Sequence, residues 1–356
     1  MRIGLLGAGL IGGEHAAGLR DLFERGLVDG CLAGVHDPDM ARAESFRERF
    51  GFERVYPSPE ALIAAPEIEA LWVTSWTAAH REAVELAVRH AKPVFCEKPL
   101  GRDLTEARQM RAAVGSARLP HQIGLILRSS PAFQRVRRLA REPGLGRLMA
   151  VHFRDDQFFP VQGRYRSEWR KDRALAGGGT LLEHSIHDVD LMRWMFGEFV
   201  SVRASTRAFA GHPGIEDLAL VQAELASGGQ VSLLSVWHQI LSRPSTRRLE
   251  IFFERGRLEV ENEVLGPIIL ERGEEPSRLL EQAEVARAYL ESNPELLPLG
   301  LQVASPQEVE DYLFLTALRD GRTPAPGFDE AVRAHEIVEA AYLSAREDRP
   351  VELPLA

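Results

Sequence analysis

The chain has 356 residues, a net charge of −9, 45% hydrophobic and 27% charged residues. This is the composition of a soluble globular protein long enough for two ordinary domains; no basic block offers itself to nucleic acid, and no apolar run reaches the roughly 18 residues that a bilayer span needs. The two cysteines, Cys31 and Cys96, make neither a disulfide framework nor a metal cage and suit a reducing cytoplasm.

The chain opens on a strand, Ile3–Leu6, rather than on a signal peptide. The strand runs into Gly7-Ala8-Gly9-Leu10-Ile11-Gly12, and a helix follows to about Arg25. G-x-G-x-x-G between a strand and a helix is the dinucleotide fingerprint. The first glycine allows the tight turn, the second lets backbone approach a pyrophosphate, and the third lets helix pack on strand. The N–H groups at the helix start then hold the phosphates. The second strand, 32–36, ends at Asp37, 25 residues after Gly12. A carboxylate there accepts bonds from ribose hydroxyls and repels a 2′-phosphate, which favours NAD over NADP. Asp37 is alternatively only a cap for the helix at 40–50.

Strands at 70–74, 93–96 and 122–127 alternate with helices at 78–89 and 104–114, and Ser58-Pro59 opens a short helix before the first of these strands. That rhythm implies a doubly wound, mostly parallel sheet. The run Pro93-Val94-Phe95-Cys96 leads into Glu97-Lys98-Pro99, at the end of a strand where open α/β sheets place ligands. Lys98 is one of three lysines, with Lys92 and Lys171, in a chain that otherwise uses arginine. An ammonium can shift its pKa and move a proton; a guanidinium effectively does not. The plainer reading is a surface lysine before a turn proline.

After Arg128 the texture changes. Consecutive strands are expected at 147–154, 201–209, 218–226, 231–240, 249–254, 257–262 and 267–271, with Ser227-Gly228-Gly229 and Arg255-Gly256 at hairpin turns. Strands without helices between them imply an antiparallel sheet and an α+β second domain. The strand near 230–239 is apolar on both faces, so one face covers helices and the other meets a partner subunit. Residues 273–304 carry one expected helix, 277–291, and helices follow at 307–319 and 328–345.

One helix interrupts these strands. Gly177-Gly178-Gly179 leads into 180–194, where Glu183, His187 and Asp190 fall at i, i+4 and i+7 on one helical face. The glycines allow another chain or a ligand near the helix start. A carboxylate beside an imidazole makes a general base; a surface salt-bridge stripe would show the same spacing. Glu183, His184 and His187 lack the H-E-x-x-H spacing of a zinc site, so no metal is expected. Phe158, Phe159, Tyr165 and Trp169, interleaved with Arg164, Arg166 and Arg170, suit a polyhydroxylated ligand or an ordinary packed loop.

Together these residues resemble the glucose–fructose oxidoreductase / inositol dehydrogenase / rhizopine catabolism (Gfo/Idh/MocA) family over nearly the whole chain. The resemblance rests on Gly7-x-Gly9-x-x-Gly12 with His15, Glu97-Lys98-Pro99, Arg128, Trp169, and the glycines leading to Glu183, His187 and Asp190. It implies a Rossmann domain over 1–127 and an α+β domain over 128–356 with a large, mostly antiparallel sheet, its helix near 328–345 packing back on the first domain. It implies catalysis by Lys98, His187 and Glu183. It places NAD against Gly7, Gly9, Leu10, Ile11, Gly12, Asp37, Ser75, Trp76, His80, Glu97 and Lys98. It places substrate against Lys98, Arg128, Trp169, Glu183, His184, His187 and Asp190. The expected activity is hydride transfer between a nicotinamide cofactor and a carbinol or carbonyl of a sugar, sugar acid or cyclitol, in a homodimer or homotetramer in the cytoplasm. Alternatives are a glycosidase using transient oxidation by NAD and a non-catalytic NAD-dependent sensor. Three departures stand out: Glu183 where the family commonly has Asp, Ser185 where it has Gly, and Trp76 near its usual proline.

Overall fold

The computed structural model describes residues 1–261, 263–300 and 305–355. The ends of two expected segments, residue 262 and residues 301–304, lie outside those described. The chain divides into two compact units, Met1–Ile126 with Pro298–Val332, and Leu127–Leu297 with Arg333–Ala356.

The first unit alternates strand and helix: β1 (Arg2–Leu6), α1 (Leu10–Glu24), β2 (Cys31–His36), α2 (Met40–Phe50), β3 (Arg54–Val55), α3 (Pro59–Ile63), β4 (Ala70–Val73), α4 (Thr77–Arg89), β5 (Val94–Cys96), α5 (Leu104–Ala117) and β6 (His121–Ile123). Local chemistry sets the helix starts. Asp39, Ser58 and Asp103 each accept an N–H from the first turn of α2, α3 and α5. The six strands lie in the order β3-β2-β1-β4-β5-β6 and all run parallel. This is the doubly wound order whose ligand crevice opens at the carboxyl ends of β1 and β4. β6 is shorter than expected and gives way to a 3-10 turn at Ile126–Ser129. Just past β6, Gly124 leaves room for Glu97, since a Cβ there would stand 2.6 Å from Glu97 Oε1.

In the second unit the elements are α6 (Pro131–Leu139), β7 (Leu148–Phe158), α7 (Arg173–Ala176), α8 (Thr180–Glu183), α9 (Ile186–Phe196), β8 (Phe199–Arg207), β9 (Leu218–Leu225), β10 (Gln230–His238), β11 (Thr246–Phe253), β12 (Gly256–Val260), β13 (Ile268–Arg272), β14 (Arg278–Leu280) and α10 (Gln282–Ser292). The chain then contributes α11 (Pro306–Arg319) to the first unit, and ends with α12 (Phe328–Glu347) and β15 (Val351–Glu352).

The second unit's sheet has nine strands in the order β14-β13-β12-β11-β7-β10-β9-β8-β15, antiparallel except where β10 meets β7. Its central strands alternate in burial. Val231, Leu233 and Trp237 of β10 face inward with Val221 and Ala223 of β9, while Leu220 stays half exposed. The helix expected over 277–291 begins instead as β14, because Leu280 pairs with Ile268 and is wholly buried.

In the first unit, Trp72, Phe95 and Phe314 pack ring to ring between sheet and α11, with centroids 5.2–6.0 Å apart. Full burial of such rings contributes roughly 1.5–3 kcal/mol each. Gly18 lets α11 approach α1: a Cβ there would stand 3.3 Å from Glu308. No helix among the described residues is long and apolar enough to cross a membrane.

Candidate active site

The Gly-rich loop is built by close contacts. Gly7 has φ +103°, and a Cβ on it would lie 2.7 Å from the Ser75 backbone. A Cβ on Gly12 would lie 2.2 Å from the Gly7 carbonyl oxygen. Gly9 is different: a Cβ there would meet nothing within 4 Å. It is the cap residue of α1, whose first turn has no acidic residue and no side-chain cap. The start of a 15-residue helix thus presents N–H groups without a side-chain acceptor, beside open space. A dinucleotide pyrophosphate fits that cradle. Asp37 is 3% exposed at the end of β2. Its Oδ2 accepts Ala8 N–H and its Oδ1 accepts Asp39 N–H, both at 2.9 Å, with the Arg42 guanidinium 3.6 Å away. Each oxygen has a second lone pair for a ribose hydroxyl.

Ser75 and Trp76 follow β4, and Trp76 occupies the cap position of α4. His80 is buried with Nδ1 3.0 Å from the Pro99 carbonyl and Nε2 3.1 Å from the Ser75 carbonyl, so it ties the two loops together. Lys98 follows β5. Its backbone N–H donates to Glu97 Oε2 at 3.1 Å, and Glu97 Oε1 lies 3.1 Å from His15 Nε2. His15 Nδ1 is 2.7 Å from Asp311 Oδ1, which also accepts Trp72 Nε1–H at 2.7 Å. Burial pushes the Glu97 carboxyl up, but the His15 hydrogen bond and the His15 and Lys98 charges outweigh it and hold it below its usual range. Burial would push the His15 imidazole down; Asp311 and Glu97 outweigh it and hold the ring well above its usual range.

The second unit holds the other expected residues. The helix expected over 180–194 is two helices. His184, at φ −122° and ψ −63°, and Ser185 separate α8 from α9, so Glu183 does not share a helix with His187 and Asp190. The break has a physical cause. Ser185 Oγ–H donates to Asp155 Oδ2 at 2.8 Å, and His184 Nε2 lies 3.0 Å from Asp155 Oδ1. Side chains drawn to a buried carboxylate compete with the regular helix. Behind them Arg247 Nε donates to Asp188 at 2.8 Å, and its NH2 group lies 3.4 Å from Asp155. Burial raises Asp155, but the Arg247 and His184 charges outweigh it and drive it low, whereas burial keeps Asp188 well above its usual range.

Glu183 is 1% exposed, and its Oε2 accepts Arg170 Nε–H at 3.2 Å. Arg170 in turn stacks on Trp169, 4.5 Å from the ring centroid. Asp190 accepts two bonds from Arg128, at 2.6 and 2.7 Å. His187 sits in the first turn of α9, 7% exposed. The glycines before α8 serve the chain's own packing. A Cβ on Gly179 would stand 1.9 Å from the Glu216 carbonyl oxygen, and one on Gly178 would stand 2.5 Å from Tyr342 Oη. The Glu216 carboxylate accepts Gly179 N–H at 2.8 Å, Leu181 N–H at 2.9 Å and Tyr342 Oη–H at 2.8 Å.

Gly7, Gly9, Leu10, Ile11, Gly12, Asp37, Ser75, Trp76, His80, Glu97 and Lys98 thus fall on the loops after β1, β2, β4 and β5 and the helix starts that follow them. Arg128, Trp169, Glu183, His184, His187 and Asp190 belong to the second unit, where Arg128 meets Asp190 and Arg170 links Trp169 to Glu183. Sequence reasoning missed Asp155, Glu216, Arg247 and Asp311. Their one signal was a charged residue inside an otherwise apolar or alternating stretch, as Asp311 is before Tyr312-Leu313-Phe314.

Fold and loops define a two-unit protein with a nucleotide-binding Rossmann unit. Residues 1–124 match the oxidoreductase family with an NAD-binding Rossmann fold, GFO/IDH/MocA, and residues 133–259 match the GFO/IDH/MocA C-terminal domain. The chain belongs to this oxidoreductase family. It is 28% identical to an inositol 2-dehydrogenase of Rhizobium meliloti over 99% of both chains. It is 26% identical to a myo-inositol 2-dehydrogenase of Thermotoga maritima, over 99% of this chain and 98% of the relative. It is 27% identical to a D-apiose dehydrogenase of Paraburkholderia graminis, over 98% and 88%. The fold is that of levoglucosan dehydrogenase in complex with NADH, at a TM-score of 0.87, 21% identity and full coverage of both chains.

Proposed function

We propose that the protein is an NAD-dependent dehydrogenase or reductase acting on a CH–OH carbon of a sugar, sugar acid or cyclitol. The observation that carries this reading is the open, uncapped start of α1 at Gly9, with Asp37 beside the loop, in a chain that aligns with inositol 2-dehydrogenases over nearly its whole length. NAD, when bound, supplies the acceptor or donor of hydride. The chain's own residues do the rest, each in its own unit. The N–H groups of Leu10 and Ile11 bind the pyrophosphate, and Asp37 binds the ribose and disfavours a 2′-phosphate. His187 accepts the proton of the reacting hydroxyl. Lys98, in the first unit, offers a compact positive charge that steadies developing negative charge, an electrostatic role. Glu183, held by Arg170, closes α8 before the break, and Asp190, held by Arg128, lies on α9 one turn after His187.

The thiols of Cys31 and Cys96 are free, which favours a cytoplasmic setting. The outward face of the nine-stranded sheet shows Leu220 and Phe252 at 49% and 42% exposure, which favours self-association of that face.

The test is NADH formation by purified protein with NAD and a panel of cyclitols, aldoses and sugar acids, with NADP in parallel. A rate with a polyol, faster with NAD, is expected. Cleavage of a glycoside without net NADH, or no turnover of any polyol despite tight NAD binding, would overturn the reading.

A further inference from the structure

We propose that Asp311 and His15 are positioning residues for Lys98, acting through Glu97. The inference rests on Lys98 being a working residue of the site, as above. Its geometry is a chain of three contacts across three elements of the first unit. Asp311 on α11 holds His15 on α1 at 2.7 Å, and His15 holds Glu97 at 3.1 Å. Glu97 then holds the backbone N–H of Lys98 at 3.1 Å. His15 and Asp311 are wholly buried and Glu97 is 9% exposed, so water does not compete for these bonds.

Both ring nitrogens of His15 face carboxylate oxygens, which only accept when ionised. A neutral imidazole would serve one of them; a ring carrying both protons serves both. The groups facing His15 come from every element packed on it. β4 gives Trp72 Nε1–H, bound to Asp311. β5 gives Glu97, with Lys98 beyond it. β6 gives Gln122, whose amide donates to the Glu310 carbonyl, and past it Gly124 leaves room only for Glu97. α11 gives Glu308, Glu310 and Asp311. Glu310 is wholly buried, and its carboxyl is pushed well above its usual range by burial and then by Glu97, with His15 opposing. Glu308 faces Arg25 at 3.3 Å. Glu97 and Asp311 are the two carboxylates within hydrogen-bond reach of the ring, and at Asp311 burial raises the carboxyl while the His15 and Trp72 contacts oppose it. Without the Asp311 charge the ring loses the reason for its second proton, Glu97 loses a donor, and the Lys98 turn loses its brace.

The scarcity of lysine makes this directly readable. Reductive ¹³C-methylation labels Lys92, Lys98, Lys171 and the N-terminus, and Lys98→Arg assigns the Lys98 signal. In Asp311→Asn the Lys98 signal shifts while the Lys92 and Lys171 signals hold, and Asp311→Glu brings it back toward wild type. An unmoved Lys98 signal in folded Asp311→Asn and His15→Asn protein would overturn the proposal. Should those variants not fold, ¹⁵N spectra of the wild-type ring decide it. Two protonated ring nitrogens at pH 7–8, above the usual imidazole range, are expected, and a neutral tautomer there would overturn it. No substrate enters either readout. Failure here leaves the dehydrogenase reading standing, and an absence of NADH formation with an intact Lys98 response would sink that reading alone.

Discussion

Gly9 and Gly12 stand three residues apart in one loop and have opposite surroundings. An alanine methyl at Gly12 would collide with the Gly7 carbonyl oxygen at 2.2 Å, whereas at Gly9 it would enter open space. Gly12→Ala is therefore expected to lose about 1–3 kcal/mol of stability. Gly9→Ala is expected to unfold within about 0.5 kcal/mol of wild type and yet to bind NADH more weakly, because the methyl occupies the phosphate cradle. Denaturant unfolding and NADH fluorescence titration separate the two effects. At the proposed catalytic positions, His187→Ala is expected to lower turnover about 10²–10⁴-fold, the usual worth of general acid–base help, with NADH affinity kept. Lys98→Arg should fold and lose activity if a compact ammonium is required; full activity in that variant would show that positive charge alone suffices. These residues were legible because each follows a strand or helix signal at a fixed offset. Glu216 and Asp311 were not, since their partners lie 35 or more residues away in the chain.

At the scale of elements, the stretch 180–194 carries the clearest lesson. Its apolar spacing reads as one helix, and the local pattern contains nothing against it. The break at His184–Ser185 is imposed by Asp155 on β7, about 30 residues earlier in sequence. α8 is four residues long and would not persist alone, because helix nucleation is unfavourable. Glu216 holds it by accepting the Gly179 and Leu181 N–H groups from outside the helix. Removing that carboxylate leaves buried donors unsatisfied, so Glu216→Ala is expected to cost about 1–3 kcal/mol in chemical unfolding. Turnover should fall with it, since α8 leads into His187. Wild-type turnover in Glu216→Ala would mean that α8 holds itself in place. β14 follows the same logic: residues 278–280 are drawn into a strand by pairing with β13, against a local pattern that reads as helix.

For the molecule as a whole, one carboxyl predicts a pH dependence of stability. Glu308, packed on α1, is pushed up from 4.5 to about 7, first by burial and then by Asp21, with Arg25 opposing. The raised folded value sets the sign: its contribution is fully present below about 4.5 and is lost as pH rises through about 7. Wild type should lose about 1–3 kcal/mol between pH 5 and 8 relative to Glu308→Gln, allowing for partial solvent screening. Equal pH profiles of the two proteins in chemical unfolding would refute this. The outward sheet face makes a second prediction. On that face Leu220 of β9 lies half exposed beside Leu234 of β10, and Phe252 of β11 lies half exposed beside Ala150 of β7 and Arg257 of β12. Leu220→Arg with Phe252→Arg is expected to shift a dimer or tetramer to monomer in light scattering, and a wild-type protein already monomeric at working concentration would exclude assembly through this face.

By itself the sequence determined the strand–loop–helix fingerprint, the alternation that makes a parallel sheet, and the later run of strands that makes an antiparallel one. It also marked Gly7 to Gly12, Asp37, Lys98 and His187 as candidates for the site. These are short-range patterns, set by backbone sterics, helix dipoles and side-chain period, and they are written within a few residues of where they act. Only the tertiary structure decided that Glu183 pairs with Arg170, that Asp190 pairs with Arg128, that Gly178 and Gly179 make room for Tyr342 and Glu216, and that Asp311 reaches Glu97 through His15. A buried charge must find its partner wherever the fold brings one, and that distance along the chain is not encoded in any local spacing.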